Sequence, residues 1–184
     1  MEFSYNPRKA TQAVAYLVSL SGGSMDLWRM LKLVYLFDRA CLIASGASIT
    51  GDSLDSLPFG PTPSRIYDNT KAERDDRHKD KVWREYLTES INNEVRLQKA
   101  VFATNELSQF ERDIIKRTWQ EYANCPTDEL WKVVHSLPEY RDPQGSSSSI
   151  DPEQILRAAD WTPEEIKNAS RDAQREKILN QLCR

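Results

Sequence analysis

The sequence contains few residues that could crosslink it or hold a metal. Its three cysteines, Cys41, Cys125 and Cys183, lie far apart, and its two histidines are His78 and His135. An odd number of widely spaced cysteines argues against a disulfide framework and against a CxxC metal site. Cys41 falls in an apolar helical run and is interpreted as a small core residue. We therefore expect no metal and no other cofactor.

Long apolar runs and a strong charge of one sign are also missing. No stretch approaches the roughly 20 apolar residues that span a bilayer, and the first residues lack the basic and apolar regions of a signal peptide. The net charge of −3 gives no overall attraction to phosphate backbones or anionic lipid. These features predict a cytoplasmic protein without a membrane partner, and they argue against nucleic acid as a direct partner.

The common signatures of catalysis are absent as well. The sequence has no Walker loop, GxGxxG, GxSxG or HExxH motif. Acid pairs such as Asp128-Glu129 and Glu164-Glu165 fall at predicted helix starts, where the positive end of the helix dipole accounts for them. We predict that the protein is not an enzyme, although an enzyme with an unrecognised pocket stays an alternative.

The residues that are present favour a mainly α protein. A chain of 184 residues can bury one core without disulfides. Asn6-Pro7 predicts the start of a first helix, since Asn caps and Pro suits the first helical position. Ser108 with Glu111 forms a capping-box pattern, and Thr127 is positioned to cap a further helix. The pattern indicates a compact multi-helix domain.

The second predicted helix, residues 26–45, is apolar on nearly every side. Such a helix is central, with neighbours on most faces, and Gly46 is well placed to end it in a left-handed conformation. Lys32, Tyr35 and Asp38 lie within it. At least one of the two charged side chains, Lys32 and Asp38, is expected to be partly buried, and a buried charge needs a partner.

Two short β-prone runs, residues 82–87 and 95–97, flank Asn92-Asn93 and predict a small β-hairpin. Residues 49–57 are polar and rich in turn formers, with room for one short strand. Residues 71–81 contain nine charged residues of eleven and are interpreted as a solvated loop or exposed helix. Three acids and a histidine in this segment are residue types that bind metal ions, but the basic residues between them would repel a cation, so we do not predict a metal site here. The four are Asp75, Asp76, His78 and Asp80.

The glycine- and serine-rich residues 145–149 predict a linker. We therefore divide the chain into a helical domain at 1–145 and a linker with a C-terminal helical extension at 146–184. Asp151-Pro152 and Thr162-Pro163 are two strong helix starts in this extension. The last helix has a thin apolar stripe, so it either docks on the same domain, as we expect, or awaits a partner.

Four elements in a fixed order resemble one known family. Lys32-Leu33-Val34-Tyr35-Leu36-Phe37-Asp38 resembles the K-L-x-Y-x-x-D helix of the Panacea domain, the SocA-like antitoxin domain. Gly46 with residues 49–52 resembles its helix end and polar link, residues 59–63 its G-P helix entry, and residues 129–135 its E-L-x-x-x-x-H helix. The resemblance covers roughly residues 10–143. Family members often carry Trp after the His, and here Tyr140 takes that place.

The resemblance points to a polar cluster formed by Lys32, Tyr35, Asp38, Gly60, Pro61 and His135. We interpret the cluster as a buried network that fixes the core, with His135 supplying a missing hydrogen-bond partner. Gly60 permits a backbone conformation that other residues resist, and Pro61 fixes the turn. A partner site or a catalytic site built on the same residues stays open as an alternative.

The resemblance also implies a function. The protein is expected to be an antitoxin, bacterial or phage, that binds and neutralises a cognate protein toxin encoded by an adjacent gene. A proteolytic adaptor or a transcriptional regulator is the alternative. The candidate contact regions are residues 71–81, the aromatic pair Trp83 and Tyr86, and the C-terminal helix with Trp161. The oligomeric state stays open, a homo-oligomer included.

Overall fold

The computed structural model describes residues 1–71 and 79–182, and 54% of these described residues are helical. The helices are α1 (Pro7–Leu20), α2 (Leu27–Ser45), α3 (Ser64–Thr70), α4 (Trp83–Tyr86), α5 (Gln109–Tyr122), α6 (Thr127–His135), α7 (Pro152–Ala158) and α8 (Pro163–Leu182). The strands are β1 (Ser24–Asp26), β2 (Leu54–Leu57), β3 (Gly60–Pro63), β4 (Glu94–Arg96) and β5 (Ser148–Ser149). The predicted mainly α class is confirmed.

Helix α2 lies at the centre of the core. Twelve of its residues are buried, and α1, α5, α6, α7 and β3 all pack against it. Asp26 caps its start by accepting a hydrogen bond from the Arg29 amide. Gly46 ends it in the left-handed conformation, with φ of 74°. These five elements are therefore positioned by their packing against α2.

Two small antiparallel sheets flank the helices. In the larger, the strand order is β3-β2-β5, and Leu57 of β2 pairs with Gly60 of β3 across a tight turn. In the smaller, β1 pairs with β4. The larger sheet covers α2 through β3, which brings the Gly60-Pro61 turn directly onto the central helix.

The predicted hairpin around Asn92-Asn93 is only partly correct. Both asparagines adopt positive φ, and Leu87 bridges Leu97 on either side of them. However, residues 83–86 form the short helix α4 instead of a strand, and β4 pairs with β1. The β-prone side chains of residues 82–87 serve to fill the core, and burial is satisfied as well by one helical turn as by a strand.

Local capping sets most of the helix starts. Asn6 caps α1, Ser108 and Glu111 form the predicted capping box of α5, and Asp151 caps α7. Thr127 was expected to cap α6, but it is the first residue of that helix. Pro126 holds the cap position there without a side-chain hydrogen bond.

The C-terminal extension lies against the rest of the chain. Ile155 and Leu156 of α7 are fully buried and belong to the main core, and β5 pairs with β2. Ile166 and Ala173 of α8 are also buried. The division of the chain at residue 145 stays a prediction. Within the two described ranges, no helix is both long and apolar enough to cross a membrane.

Candidate functional site

Three motif residues of α2 point to three different places. Lys32, Tyr35 and Asp38 follow each other at intervals of three residues. Each interval turns a helix back by about 60° and advances it by about 4.5 Å. The side chains therefore fan out over adjoining parts of the core instead of meeting in one cluster. We call Lys32, Tyr35, Asp38, Gly60, Pro61 and His135 together the polar framework.

Lys32 is buried beneath the β2–β3 turn. Its Nζ donates to the Pro61 carbonyl at 3.2 Å and to Thr62 Oγ1 at 3.5 Å. No carboxylate of the described residues forms an ion pair with it, and burial lowers its pKa from 10.5 to about 7. The ammonium is thus held by neutral oxygens alone, which compensate little of its lost hydration.

Gly60 is required at the position where the turn meets α2 and α6. Its φ is +96°, a conformation that side chains resist. A Cβ atom there would lie 2.9 Å from His135 Cε1 and 3.2 Å from both Lys32 Nζ and Val134 Cγ2. The absent side chain therefore allows the turn, the lysine and the histidine to pack together.

His135 is positioned by stacking and by one hydrogen bond to its own helix. Its Nδ1 lies 2.7 Å from the Trp131 carbonyl, so Nδ1 carries the proton and donates. Its ring stacks on Trp131, with 3.7 Å between centroids, and meets the Tyr140 ring edge-on at 4.5 Å. Nε2 is buried and has no hydrogen-bond partner among the described residues. The expectation that His135 supplies a hydrogen bond to the cluster is therefore wrong; it fills space against Gly60.

Tyr35 forms a hydrogen bond to a separate ion pair, that of Arg39 with the buried Glu139. Its hydroxyl donates to Glu139 Oε1 at 2.6 Å, and Arg39 Nε donates to the same oxygen at 2.7 Å. Burial first, and then the adjacent Glu139 carboxylate, raise the pKa of Tyr35. This arrangement ties the segment after α6 to α2 with a charge-assisted bond.

Asp38 holds the link that follows α2. Its Oδ1 accepts from the backbone amides of Ile49, at 2.7 Å, and Thr50, at 3.1 Å, while Oδ2 accepts from the Thr50 hydroxyl. Burial raises the pKa of Asp38, and the hydrogen bonds from Thr50 and Ile49 act against that rise. Both carboxylate oxygens are thus committed to fixing residues 49 and 50.

Asp52 continues this chain of contacts into α3. Its two oxygens accept from the amides of Arg65, at 3.0 Å, and Ile66, at 2.9 Å, in the first turn of that helix. Burial raises the pKa of Asp52 to about 6, opposed by these backbone hydrogen bonds. The aspartates at 38 and 52 therefore connect α2, the polar link and α3.

The predicted partner-binding aromatics lie in different environments. Trp83 is only 1% exposed and donates from Nε1 to the Thr88 carbonyl at 3.1 Å, and Tyr86 is also buried. Both are core residues, which corrects their interpretation as surface anchors. Trp161 is half-buried, packs on Gly46 and donates to the Ile43 carbonyl at 3.2 Å. It joins α8 to the end of α2, and a partner contact by Trp161 stays a prediction.

Most of the charged segment lies outside the described residues. This is true of Asp75, Asp76 and His78 from the group considered as a metal cluster. Asp80, the fourth member, accepts from Tyr5 and from Asn69, each at 2.7 Å. Among residues 1–71 and 79–182, no group of three His, Cys, Asp or Glu side chains could hold a metal ion.

Sequence reasoning missed several members of this arrangement. Glu139 pairs with Arg39 and accepts a hydrogen bond from Tyr35. The Thr50 hydroxyl donates to Asp38 and accepts from the Asp52 amide, which connects the two aspartates. No capping signal marks Asp52 in the sequence, because it lies 13 residues before Arg65 and Pro63 holds the cap position of α3. No local signal marks Glu139, since its partner lies 104 residues away.

Comparison with known proteins places the framework in a family. Residues 30–140 match the family described as antitoxin SocA-like, Panacea domain, which is more than half of the chain and contains all six framework residues. Neither the curated proteins nor the solved structures gave a match. The family match agrees with the motif order and with the way the motif residues share one core. The chain therefore belongs to the SocA-like antitoxin family that carries the Panacea domain.

Proposed function

We propose that this protein is an antitoxin that neutralises a cognate protein toxin by binding it directly in the cytoplasm. The observation that carries the proposal is the family match over residues 30–140. The toxin is expected to be encoded by an adjacent gene. Nucleic acid and membranes are not expected as partners, and the protein acts without a cofactor.

The geometry of the framework supports binding over catalysis. Both oxygens of Asp38 accept hydrogen bonds from the following link, and Glu139 is neutralised by Arg39 and bonded by Tyr35. Groups held in this way fix the backbone and are not available to take up or release protons from a substrate. The proposal therefore assigns no catalytic residue to this protein.

A rigid scaffold suits neutralisation by contact. A stable protein–protein interface buries about 1,200–2,000 Å² in total, and ordering a loose surface on binding reduces the affinity. Here α2, the β2–β3 turn and α6 are fixed to each other by Lys32, Gly60 and His135. The surface above them is thus pre-organised for a partner.

The test is co-expression with the product of the adjacent reading frame. That product alone should stop growth, and growth should return when this protein is co-expressed. A purified mixture should form a complex, with neutralisation complete near equimolar amounts, because a binder acts stoichiometrically whereas an enzyme turns over. If the neighbouring product is harmless alone, or stays toxic beside this protein, the proposal fails.

A further inference from the structure

An apolar side chain stands exposed at the tip of the β2–β3 turn. Phe59 is 57% exposed, although it lies beside the buried Gly60. On one side, its ring packs against Trp28 with 5.0 Å between centroids, and Trp28 in turn packs against Tyr67 at 5.8 Å. Phe59 is therefore packed against Trp28 on one side, while its other side is open to solvent.

A second group of rings flanks the same turn. The Tyr140 hydroxyl donates to the Leu57 carbonyl at 3.1 Å, immediately before the turn. Tyr140 meets His135, and His135 stacks on Trp131, which is 48% exposed. We call Trp28, Phe59, Tyr67, Trp131, His135 and Tyr140 the aromatic turn surface. Exposed aromatic clusters of this kind are typical of protein interfaces, where Trp and Tyr dominate the binding energy.

One buried cation lies beneath this surface. Lys32 lies directly below Gly60 without an acidic partner among the described residues. Lys71 lies over the Tyr67 ring at 3.8 Å and pairs with Asp68, while Glu139 is neutralised by Arg39. A cation held in a medium of low dielectric constant is weakly screened. A carboxylate placed over the turn would therefore favour the charged form of Lys32 over the neutral form and would be attracted by it.

The chain's own C-terminal extension is not positioned to cover this surface. Trp161 and Ala169 pack on Gly46, at the end of α2, whereas Trp28 stands at its start. The 18 residues between positions 28 and 46 correspond to about 27 Å along a helix. As far as the described residues show, this surface is thus left open to an external partner.

We propose that the aromatic turn surface is where the toxin docks, through a segment that presents an apolar side chain next to a carboxylate. This inference rests on the proposed function. The apolar side chain would pack on Phe59 and Trp131, and the carboxylate would lie over the turn above Lys32.

The experiment measures calorimetric binding of the full-length protein to the purified product of the adjacent reading frame. Phe59→Ser should weaken binding at least tenfold, a change of about 1.4 kcal/mol. Ile91→Ser is the matched control, since Ile91 is 66% exposed at a different turn; its binding should equal that of the wild type. Trp131→Leu, with Phe110→Leu as the control on another helix, repeats the comparison without altering the turn.

The charge is tested separately. Lys32→Met should weaken binding about tenfold, a change of about 1.4 kcal/mol, whereas the exposed Lys99→Met should not. Circular dichroism of every variant establishes that it is folded before binding is compared.

The outcomes separate the two proposals. If the wild type does not bind the product, the antitoxin function itself fails, and the docking proposal with it. If the wild type binds but Phe59→Ser and Trp131→Leu bind equally well, the docking site is wrong while the function stands. If Lys32→Met binds at wild-type strength, the proposed contact between Lys32 and a carboxylate of the toxin is wrong. Light scattering that shows a dimer dissociated by Phe59→Ser would assign the surface to a second copy of this chain and overturn the proposal.

Discussion

Replacing Lys32 by methionine should stabilise the protein at neutral and mildly acidic pH. Methionine keeps the length of the side chain and removes an ammonium whose partners among the described residues are the Pro61 carbonyl and the Thr62 hydroxyl. The fall of the Lys32 pKa from 10.5 to about 7 corresponds to about 5 kcal/mol against the charged form in the folded state. Leaving the Pro61 carbonyl without a donor costs about 1–3 kcal/mol. The net gain at pH 6 is therefore about 2–4 kcal/mol.

The sign of this effect depends on pH. Between pH 7 and 10.5 the unfolded wild type holds the Lys32 proton while the folded protein has released it, so the wild type gains stability as pH rises through this window. Lys32→Met has no such proton. Its advantage should shrink with rising pH, and above pH 10 the variant should be less stable than the wild type by about 1–3 kcal/mol, the cost of the lost hydrogen bond.

Urea unfolding at pH 6, 8 and 10 measures both the magnitude and the change of sign. Lys99→Met serves as the control, because Lys99 is exposed and its loss should change stability little and equally at each pH. A Lys32→Met protein that is several kcal/mol less stable than the wild type at pH 6 would refute the reasoning. A difference that does not vary with pH would refute it as well.

Other predictions concern the end of α2 and the link to α3. Gly46→Ala should lower the free energy of unfolding by about 2–4 kcal/mol, because its φ is +74° and the new Cβ would lie 3.2 Å from the Trp161 ring. Gly22→Ala, with φ of +90° and open space around it, should lose only about 1 kcal/mol. If the two variants lose equal stability in urea unfolding, the steric contact between the new Cβ at position 46 and the Trp161 ring is excluded as a cause. Trp161→Phe should lose about 1 kcal/mol with the bond to Ile43, and an unchanged unfolding midpoint would argue against it. Because burial raises the Asp52 pKa from 3.8 to about 6, the folded state holds this proton more tightly, and the contribution of Asp52 to wild-type stability should fall by about 2 kcal/mol between pH 4 and 7. Asp52→Asn should lack this part of the fall, and equal pH profiles of the two proteins would exclude Asp52 as its source.

The buried framework shows where sequence reasoning succeeds and where it stops. The polar residues in an apolar helix indicated that at least one of Lys32 and Asp38 is partly buried, and both are buried. Their partners were not identified, because the path of the chain after α2 brings Pro61 to Lys32 and Thr50 to Asp38. The free nitrogen of His135 likewise depends on the path of the β2–β3 turn.

Residues 83–86 illustrate a second limit. Their β-branched and aromatic neighbours favour a strand, yet they form a helical turn whose Trp83 and Tyr86 point into the core. Four residues have too little intrinsic preference to resist tertiary packing. The interpretation of these aromatics as surface anchors failed for the same reason, since exposure is a property of the packed fold.

Chain-local chemistry was sufficient for several helix ends and for the mainly α class. Asn6, Ser108 with Glu111, Asp151 and Gly46 act on backbone groups within about four residues of themselves, so their effect is visible in the sequence. Folding in three dimensions set the rest: the bond between Tyr35 and Glu139, the unpaired Lys32 under Gly60, and the rings gathered around Phe59. These depend on contacts between residues far apart along the chain, which form only when the whole core packs around α2.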